Sequence, residues 1–243
     1  MDRIIGVATG SIWQWKRTPN RGELISHLRD LPIRAAELTM GSVEETFCFS
    51  LPEDDRDWLR GLSFVSIHAP SFASVKGSRQ KTERLLLHLA TIYHEIGAQA
   101  IVFHPYDMED FSICSSLGMR VSVENMSPQN EYSIDGIWKI LDSDEEFSLC
   151  LDTVHAWAHS EEEIERYVNH VTSRISHVHI SARVNGIDHS PLIEGDPVYI
   201  KALQESVGRL SCPVLIEESF PPYDREGLYR EVLFVSSLFS SGG

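Results

Sequence analysis

The sequence predicts an α/β fold, a single (β/α)8 barrel over residues 1–243. Three observations carry that expectation. Short, nearly continuous apolar runs alternate with longer segments of helical period, as strands buried on both faces do. There are eight such runs, and eight units in a chain of this length leave about 30 residues each, the spacing of this barrel. The loop after the first run reads Gly10-Ser11-Ile12-Trp13, without the glycine-rich phosphate loop of an open doubly wound sheet.

The runs are Ile4–Ala8, Ala35–Thr39, Phe64–His68, Ala100–His104, Arg120–Glu124, Ser148–Asp152, Ser176–Ile180 and Val214–Glu217. Clear helical segments are Ser78–Ile96, Ser160–Val171, Pro197–Val207 and Arg225–Phe239. Ser78 and Ser160 are the expected N-caps, and Glu161, Glu162 and Glu163 place acid in a first turn, where the helix dipole favours it. Gly97 and Gly208 follow helical runs as C-terminal glycines do. The Ser/Gly-rich tail, residues 236–243, is expected to fray.

A hydrophobic fraction of 42% and a charged fraction of 23% are globular values. The net charge of −15 argues against non-specific nucleic-acid binding and against an anionic membrane surface. No apolar run approaches the roughly 20 residues of a membrane span, and the N-terminus lacks the pattern of a signal peptide. Cys48, Cys114, Cys150 and Cys212 form no CxxC pair, so reduced thiols and a cytoplasmic location are expected.

From the second run onward, each strand carries a polar residue at or near its C-terminal end. These are Glu37, His68, His104, Glu124, Asp152 with His155 three residues on, His177 with His179, and Glu217. The C-terminal strand ends of such a barrel lie on one face, so these residues converge. Carboxylates and imidazoles so packed are hard to keep ionised and unpaired in a low dielectric. A divalent cation resolves this, because carboxylate oxygen and neutral imidazole nitrogen are its ordinary ligands. His177 shares parity with His179 but lies one layer deeper, as a core or supporting residue. Glu218, of opposite parity to Glu217, should face helices or solvent. His88, His94, His159 and His170 fall in helical segments, where a surface role is expected.

The stretches Ser66-Ile67-His68-Ala69-Pro70, Val102-Phe103-His104-Pro105, Val123-Glu124-Asn125-Met126, Leu151-Asp152-Thr153-Val154-His155, Val178-His179-Ile180 and Leu215-Ile216-Glu217 resemble the xylose isomerase-like TIM barrels, which include endonuclease IV and many sugar isomerases and epimerases. The resemblance spans nearly the whole chain in order. It implies that Glu124, Asp152, His179 and Glu217 form a shared metal site. In the endonuclease IV branch it further implies a second metal held by His68 and His104 with Glu124 bridging, and a third held by His155 and an Asp-x-His pair. Here that pair is adjacent, Asp188-His189; neighbours in an extended segment point apart, which disfavours joint chelation, and Asp188 and His189 both stand as candidates for the third site.

Two enzyme readings follow. The first is phosphoester hydrolysis with two or three metals, zinc first and manganese or magnesium as alternatives. Lys76 and Arg79, in Lys76-Gly77-Ser78-Arg79-Gln80-Lys81, would offer cations and a helix N-terminus to a phosphate. The charge, and a chain short of room for long groove-reading loops, stand against a DNA substrate without excluding one; a small phosphorylated or nucleotide-like substrate fits at least as well as a damaged duplex. The second is a sugar or sugar-phosphate isomerase or epimerase working through an enediolate. Glu124 and Glu217 would be acid and base, His155 and Arg183 would bind substrate oxygens, and Glu37 would support the site or bind a hydroxyl. Trp13, Trp15, Phe72 and Trp157 are candidates for an apolar wall. A barrel that only binds a ligand or partner is a third reading, against which the full carboxylate–imidazole set argues. The oligomeric state is left open.

Overall fold

Strand side chains alternate between two faces, and in a closed barrel one face is the interior. That parity organises the protein, a computed structural model describing residues 3–16, 18, 20–108, 110–128 and 134–240. The eight barrel strands are β1 (Ile5–Ala8), β2 (Ala35–Thr39), β3 (Phe64–His68), β4 (Ala100–Phe103), β5 (Val121–Glu124), β6 (Ser148–Asp152), β7 (Ile175–Ile180) and, after a separate hairpin of β8 (Ala182–Val184) and β9 (Ile187–Ser190), β10 (Val214–Ile216). All neighbours pair in parallel, and β1 closes on β10. The helices are α1 (Val43–Cys48), α2 (Glu53–Arg60), α3 (Arg79–Ile96), α4 (Ser112–Ser116), α5 (Ile134–Ser143), α6 (Thr153–His159), α7 (Glu163–Val171), α8 (Pro197–Ser206) and α9 (Arg225–Leu238). Two 3-10 segments, Thr9–Trp15 and Arg21–His27, stand where the first unit would have its helix.

The outward parity of the strands feeds the main core. Val7, Ala36, Leu38, Val65, Ile67, Ile101, Phe103, Val121, Val123, Leu149, Leu151, Val178, Ile180, Val214 and Ile216 are buried there against the helices. The inward parity has a different composition. At the bottom a small apolar plug, Ala35, Phe64, Ala100 and Leu215, fills the barrel. A Cβ on Gly6 would lie 2.4 Å from Leu215 Cδ2 and 2.5 Å from the Ala35 carbonyl oxygen, so only glycine fits beside the plug. Above it come Ser66, Glu37, Ser122, Cys150 and His177, all polar or ionisable and all buried. The top inward layer holds His68, Glu124, Asp152 and His179. Register keeps these layer mates level: Glu37 pairs with Ser66, Cys150 with His177, and Asp152 with His179.

Several local expectations are corrected. β4 and β10 stop one residue early, so His104 and Glu217 follow their strands. Ser160 is the C-cap of α6, and α7 begins at Glu163, because the Asp152 side chain caps an earlier helix by accepting from the His155 amide. Ser78 precedes α3, but its hydroxyl makes no capping bond. Gly97 takes the left-handed C-terminal conformation (φ +65°), whereas Gly208 lies inside a 3-10 turn, Val207–Arg209, without positive φ. Ser236 and Ser237 belong to α9, with Ser236 Oγ bonded to the Val232 carbonyl; the fraying expected from 236 does not begin before Leu238, and 241–243 lie outside the described residues.

Candidate metal centre

The top layer brings eight of the expected donors into three overlapping sets. Glu124, Asp152, His179 and Glu217 each offer one ligand atom, all within 4.8 Å of one another; so do His68, His104 and Glu124, and so do Asp152, His155 and His189. Glu124 belongs to the first two sets and Asp152 to the first and third, so the sets are contiguous. Glu124 Oε2 lies 3.2 Å from His68 Nε2 and 3.3 Å from His104 Nε2, and Oε1 lies 3.5 Å from His179 Nδ1.

Backbone geometry sets the imidazole orientations. His68 Nδ1 donates to the Ala69 carbonyl (3.1 Å), His155 Nδ1 to the Asn125 carbonyl (3.1 Å) and His189 Nδ1 to the Glu217 carbonyl (2.9 Å). A carbonyl can only accept, so each Nδ1 carries the proton and each Nε2 is left for the centre. His68 Nε2 then faces a carboxylate oxygen of Glu124, which requires a proton or a cation between them.

The donor set fits a divalent ion on a second count. Asp152 Oδ2, His179 Nδ1 and Glu217 Oε2 are buried atoms with no hydrogen-bond partner among the described residues. Asp152 spends Oδ1 on the α6 cap (2.7 Å), which aims Oδ2 at the centre. Its peptide is fixed by Asn125, whose side chain accepts from the Asp152 N–H (2.7 Å) and donates to the Asp152 carbonyl (2.8 Å). Burial raises the Asp152 carboxyl; the charges of His155 and His189 oppose this, and those of Glu124 and Glu217 add to it. Burial alone would raise Glu124 too, but the imidazoles of His104, His179 and His68 facing it hold it well below the usual carboxylate range. His189 is lowered by burial yet ends near 9, because Glu217 and Asp152 outweigh that effect.

His189 reaches the centre because its φ of +56° breaks strand alternation. The hairpin turns at Asn185-Gly186, both at positive φ, as a two-residue turn demands. Asp188 lines the mouth but pairs with Arg183 at 3.3 Å, outside the three donor sets. Adjacent residues thus part company: of the two candidates, His189 joins a donor set and Asp188 does not.

The barrel mouth is a cavity of about 510 Å³ lined by Trp13, Arg21, Thr39, His104 and Glu217 among others. Lys76 lines a neighbouring cavity with Tyr106, whose ring stacks on His104 at 5.2 Å; Arg79 is exposed and paired with Glu83 at 2.7 Å. Neither lines the mouth. Of the four proposed wall aromatics, only Trp13 does. Trp15 and Phe72 are buried in the core, and Trp157, within α6, packs on Tyr199 of α8 at 5.1 Å. Glu37 is buried one layer down and does not line the mouth. Glu218 turns away to accept from the Leu192 amide (3.0 Å). The helical histidines His88, His94, His159 and His170 each bond a backbone carbonyl.

Three supporting residues escaped the sequence reading. Asp107 is buried, accepts from the His104 and Phe72 amides and sits 3.4 Å from His104 Nδ1; its signal was the His-Pro-Tyr-Asp spacing. Ser66 donates to Glu37 at 2.7 Å, and inward parity on β3 was its signal. Cys150 forms a deeper donor set with His177 and His179, although Glu37 already faces Nε2 of both imidazoles.

Solved structures with this fold include endonuclease IV from Thermus thermophilus, at 18% identity and TM-score 0.64 over 96% of this chain and 99% of that one. D-allulose 3-epimerase from Methylomonas sp. in complex with D-allulose aligns at 14% identity and TM-score 0.68 over 98% of each chain. A D-tagatose 3-epimerase-like protein aligns at 15% identity and TM-score 0.63, again over 98% of each. At these identities the likeness is one of fold. No curated protein matches the sequence. The xylose isomerase-like TIM barrel family matches residues 59–233, the larger part of the chain and all of the strands from β3 to β10, and the protein belongs to that family.

Proposed function

We propose that this barrel is a divalent-metal-dependent phosphoester hydrolase acting on a small phosphorylated substrate. One observation carries the reading: three contiguous donor sets share Glu124 and Asp152 around a single mouth. Glu124, Asp152, His179 and Glu217 would hold one ion, His68, His104 and Glu124 a second, and Asp152, His155 and His189 a third. Zinc suits the imidazole-rich sets best, with manganese or magnesium as alternatives. Bound there, such ions supply charge neutralisation at a phosphoryl group and a more acidic water. The chain's own part is orientation. Glu124 spans two sets from β5, the α6 cap aims Asp152, His155 is oriented by its bond to the Asn125 carbonyl, and Glu217 lines the mouth, where its second carboxylate oxygen can accept or return a proton. Trp13 gives the mouth one apolar wall, and Lys76, without an ion-pair partner among the described residues, is available for a more distant phosphate. A net charge of −15 weighs against a long polyanionic substrate. The four free cysteines suit a cytoplasmic setting.

A second reading, a sugar isomerase or epimerase with Glu124 and Glu217 as acid and base, draws on a different observation. Arg21, the one arginine or lysine among the described residues lining the mouth, is paired with Glu45 at 2.9 Å, and Arg183 with Asp188, an arrangement suited to a neutral polyol.

A panel of phosphomonoesters, phosphodiesters and ketoses, run on zinc- and manganese-loaded protein and on His104→Ala, separates the two. Phosphate release that collapses in His104→Ala, together with loss of bound metal, is expected for the hydrolase. A ketose activity that survives His104→Ala with metal content unchanged would refute it.

A further inference from the structure

Among the imidazoles around the centre, His179 is oriented in the opposite sense. His68, His155 and His189 spend Nδ1 on backbone carbonyls and present Nε2. His179 presents Nδ1 instead, 3.0 Å from Glu217 Oε2 and 3.5 Å from Glu124 Oε1. Its Nε2 points down the barrel at Glu37, 3.1 Å from Oε1 and 3.2 Å from Oε2. Its partner is thus a side chain from across the barrel interior, on β2, where the other three imidazoles use a backbone carbonyl.

Glu37 is itself tightly held. It has no solvent exposure, Ser66 Oγ donates to its Oε2 at 2.7 Å, and His177 Nε2 lies 3.3 Å from the same oxygen. His177 is fixed in turn, its Nδ1 2.8 Å from Ser176 Oγ. A carboxylate buried this deeply is costly, and a barrel interior can be filled more cheaply by apolar side chains, as the plug one layer below shows. Ser66, His177 and Glu37 therefore form a polar layer in which the carboxylate of Glu37 meets Nε2 of His179, with the His177 ring and Cys150 packed beside the same imidazole.

We propose that Glu37 is a positioning residue that keeps the proton of His179 on Nε2 and so makes Nδ1 the ligating atom of the centre. The proposal rests on the metal-centre reading above. It extends that reading to a residue that neither lines the mouth nor offers an atom to the three donor sets. A carboxylate behind a ligating imidazole fixes its tautomer and raises its basicity, and loss of such a partner weakens metal binding by roughly 10–100-fold.

Two measurements test it. The first is zinc affinity by chelator competition for the wild-type chain and for Glu37→Gln, with thermal melting of both as a check on folding. A folded Glu37→Gln chain with roughly tenfold or greater loss of affinity is expected. Equal affinity in a folded variant overturns the positioning role while leaving the metal centre standing. A wild-type chain that takes up neither zinc nor cadmium removes the metal centre, and the proposal with it. The second measurement needs no variant and holds if Glu37→Gln fails to fold. In cadmium-113-loaded, nitrogen-15-labelled wild-type protein, scalar coupling from the metal to His179 Nδ1 is expected, with Nε2 protonated. Coupling to Nε2, or no coupling to His179, overturns it.

Discussion

His179 Nδ1 and Glu217 Oε2 approach to 3.0 Å, yet neither has a hydrogen-bond partner among the described residues. Both atoms are shielded from solvent, and each points at the space that Asp152 Oδ2 also faces. Three orphaned polar atoms converging in a buried layer would each carry a desolvation cost of about 1–3 kcal/mol if left alone. A shared cation would relieve all three.

Asp152→Asn separates the two duties of that residue. Asparagine is as good an N-cap as aspartate, so α6 should survive. In chelator the variant is expected to melt no lower than wild type at pH 7.5, since a buried carboxylate raised by burial and by like charges has been neutralised. With zinc at about a hundred times its Kd, the wild type should gain about 2.7 kcal/mol and the variant far less. Differential scanning calorimetry with and without zinc reads both effects; an equal zinc response in the two proteins would count against Asp152 as a ligand.

Glu218 and Glu231 accept from consecutive backbone amides, those of Leu192 and Ile193, at 3.0 and 3.1 Å. Burial, and then the like charge of Glu231, push Glu218 well above the ordinary carboxylate range. Its unfolded form loses its proton first as pH rises past about 4.5, so the folded state then binds more protons and stability falls. That part of the stability is fully present below the unfolded pKa and is lost as pH rises through the folded one. Glu218→Gln keeps an acceptor for Leu192 and removes the ionisation. In chelator it should match wild type near pH 4 and exceed it by about 1–3 kcal/mol at pH 8. A parallel pH dependence in the two proteins would contradict the assignment.

Gly6→Ala tests the plug. With Leu215 Cδ2 and the Ala35 carbonyl both within 2.5 Å of the new methyl, one of them a backbone atom, the barrel must shift. A loss of about 1–3 kcal/mol or more is expected in urea unfolding, at unchanged m-value. An unaffected midpoint would mean that the interior is looser than its packing indicates.

Much of this was legible in the chain itself. The eight strands lie within a residue of the apolar runs, because continuous Val/Ile/Leu runs have no other home than a sheet covered on both faces. Glu124, Asp152, His179 and Glu217 were readable from their place at strand ends, where topology rather than local sequence gathers them. What escaped depended on single torsions and local competition between caps. Ser160 looked like an N-cap until Asp152, eight residues earlier, proved to start its own helix. His189 could not be separated from Asp188 without its positive φ. The depth of Glu37 was hidden because parity gives a side but not a layer; only register with Ser66 fixes its height in the barrel. Asp107 supports His104 across a turn, a contact that no periodic pattern encodes.

The centre is tested most directly by counting metal. Protein purified without added metal, then incubated with zinc and dialysed, is expected to retain roughly two to three ions per chain by elemental analysis. Protein that keeps no stoichiometric divalent ion after exposure to zinc, and none after exposure to manganese, would contradict a cation-binding role for Glu124, Asp152, His179 and Glu217.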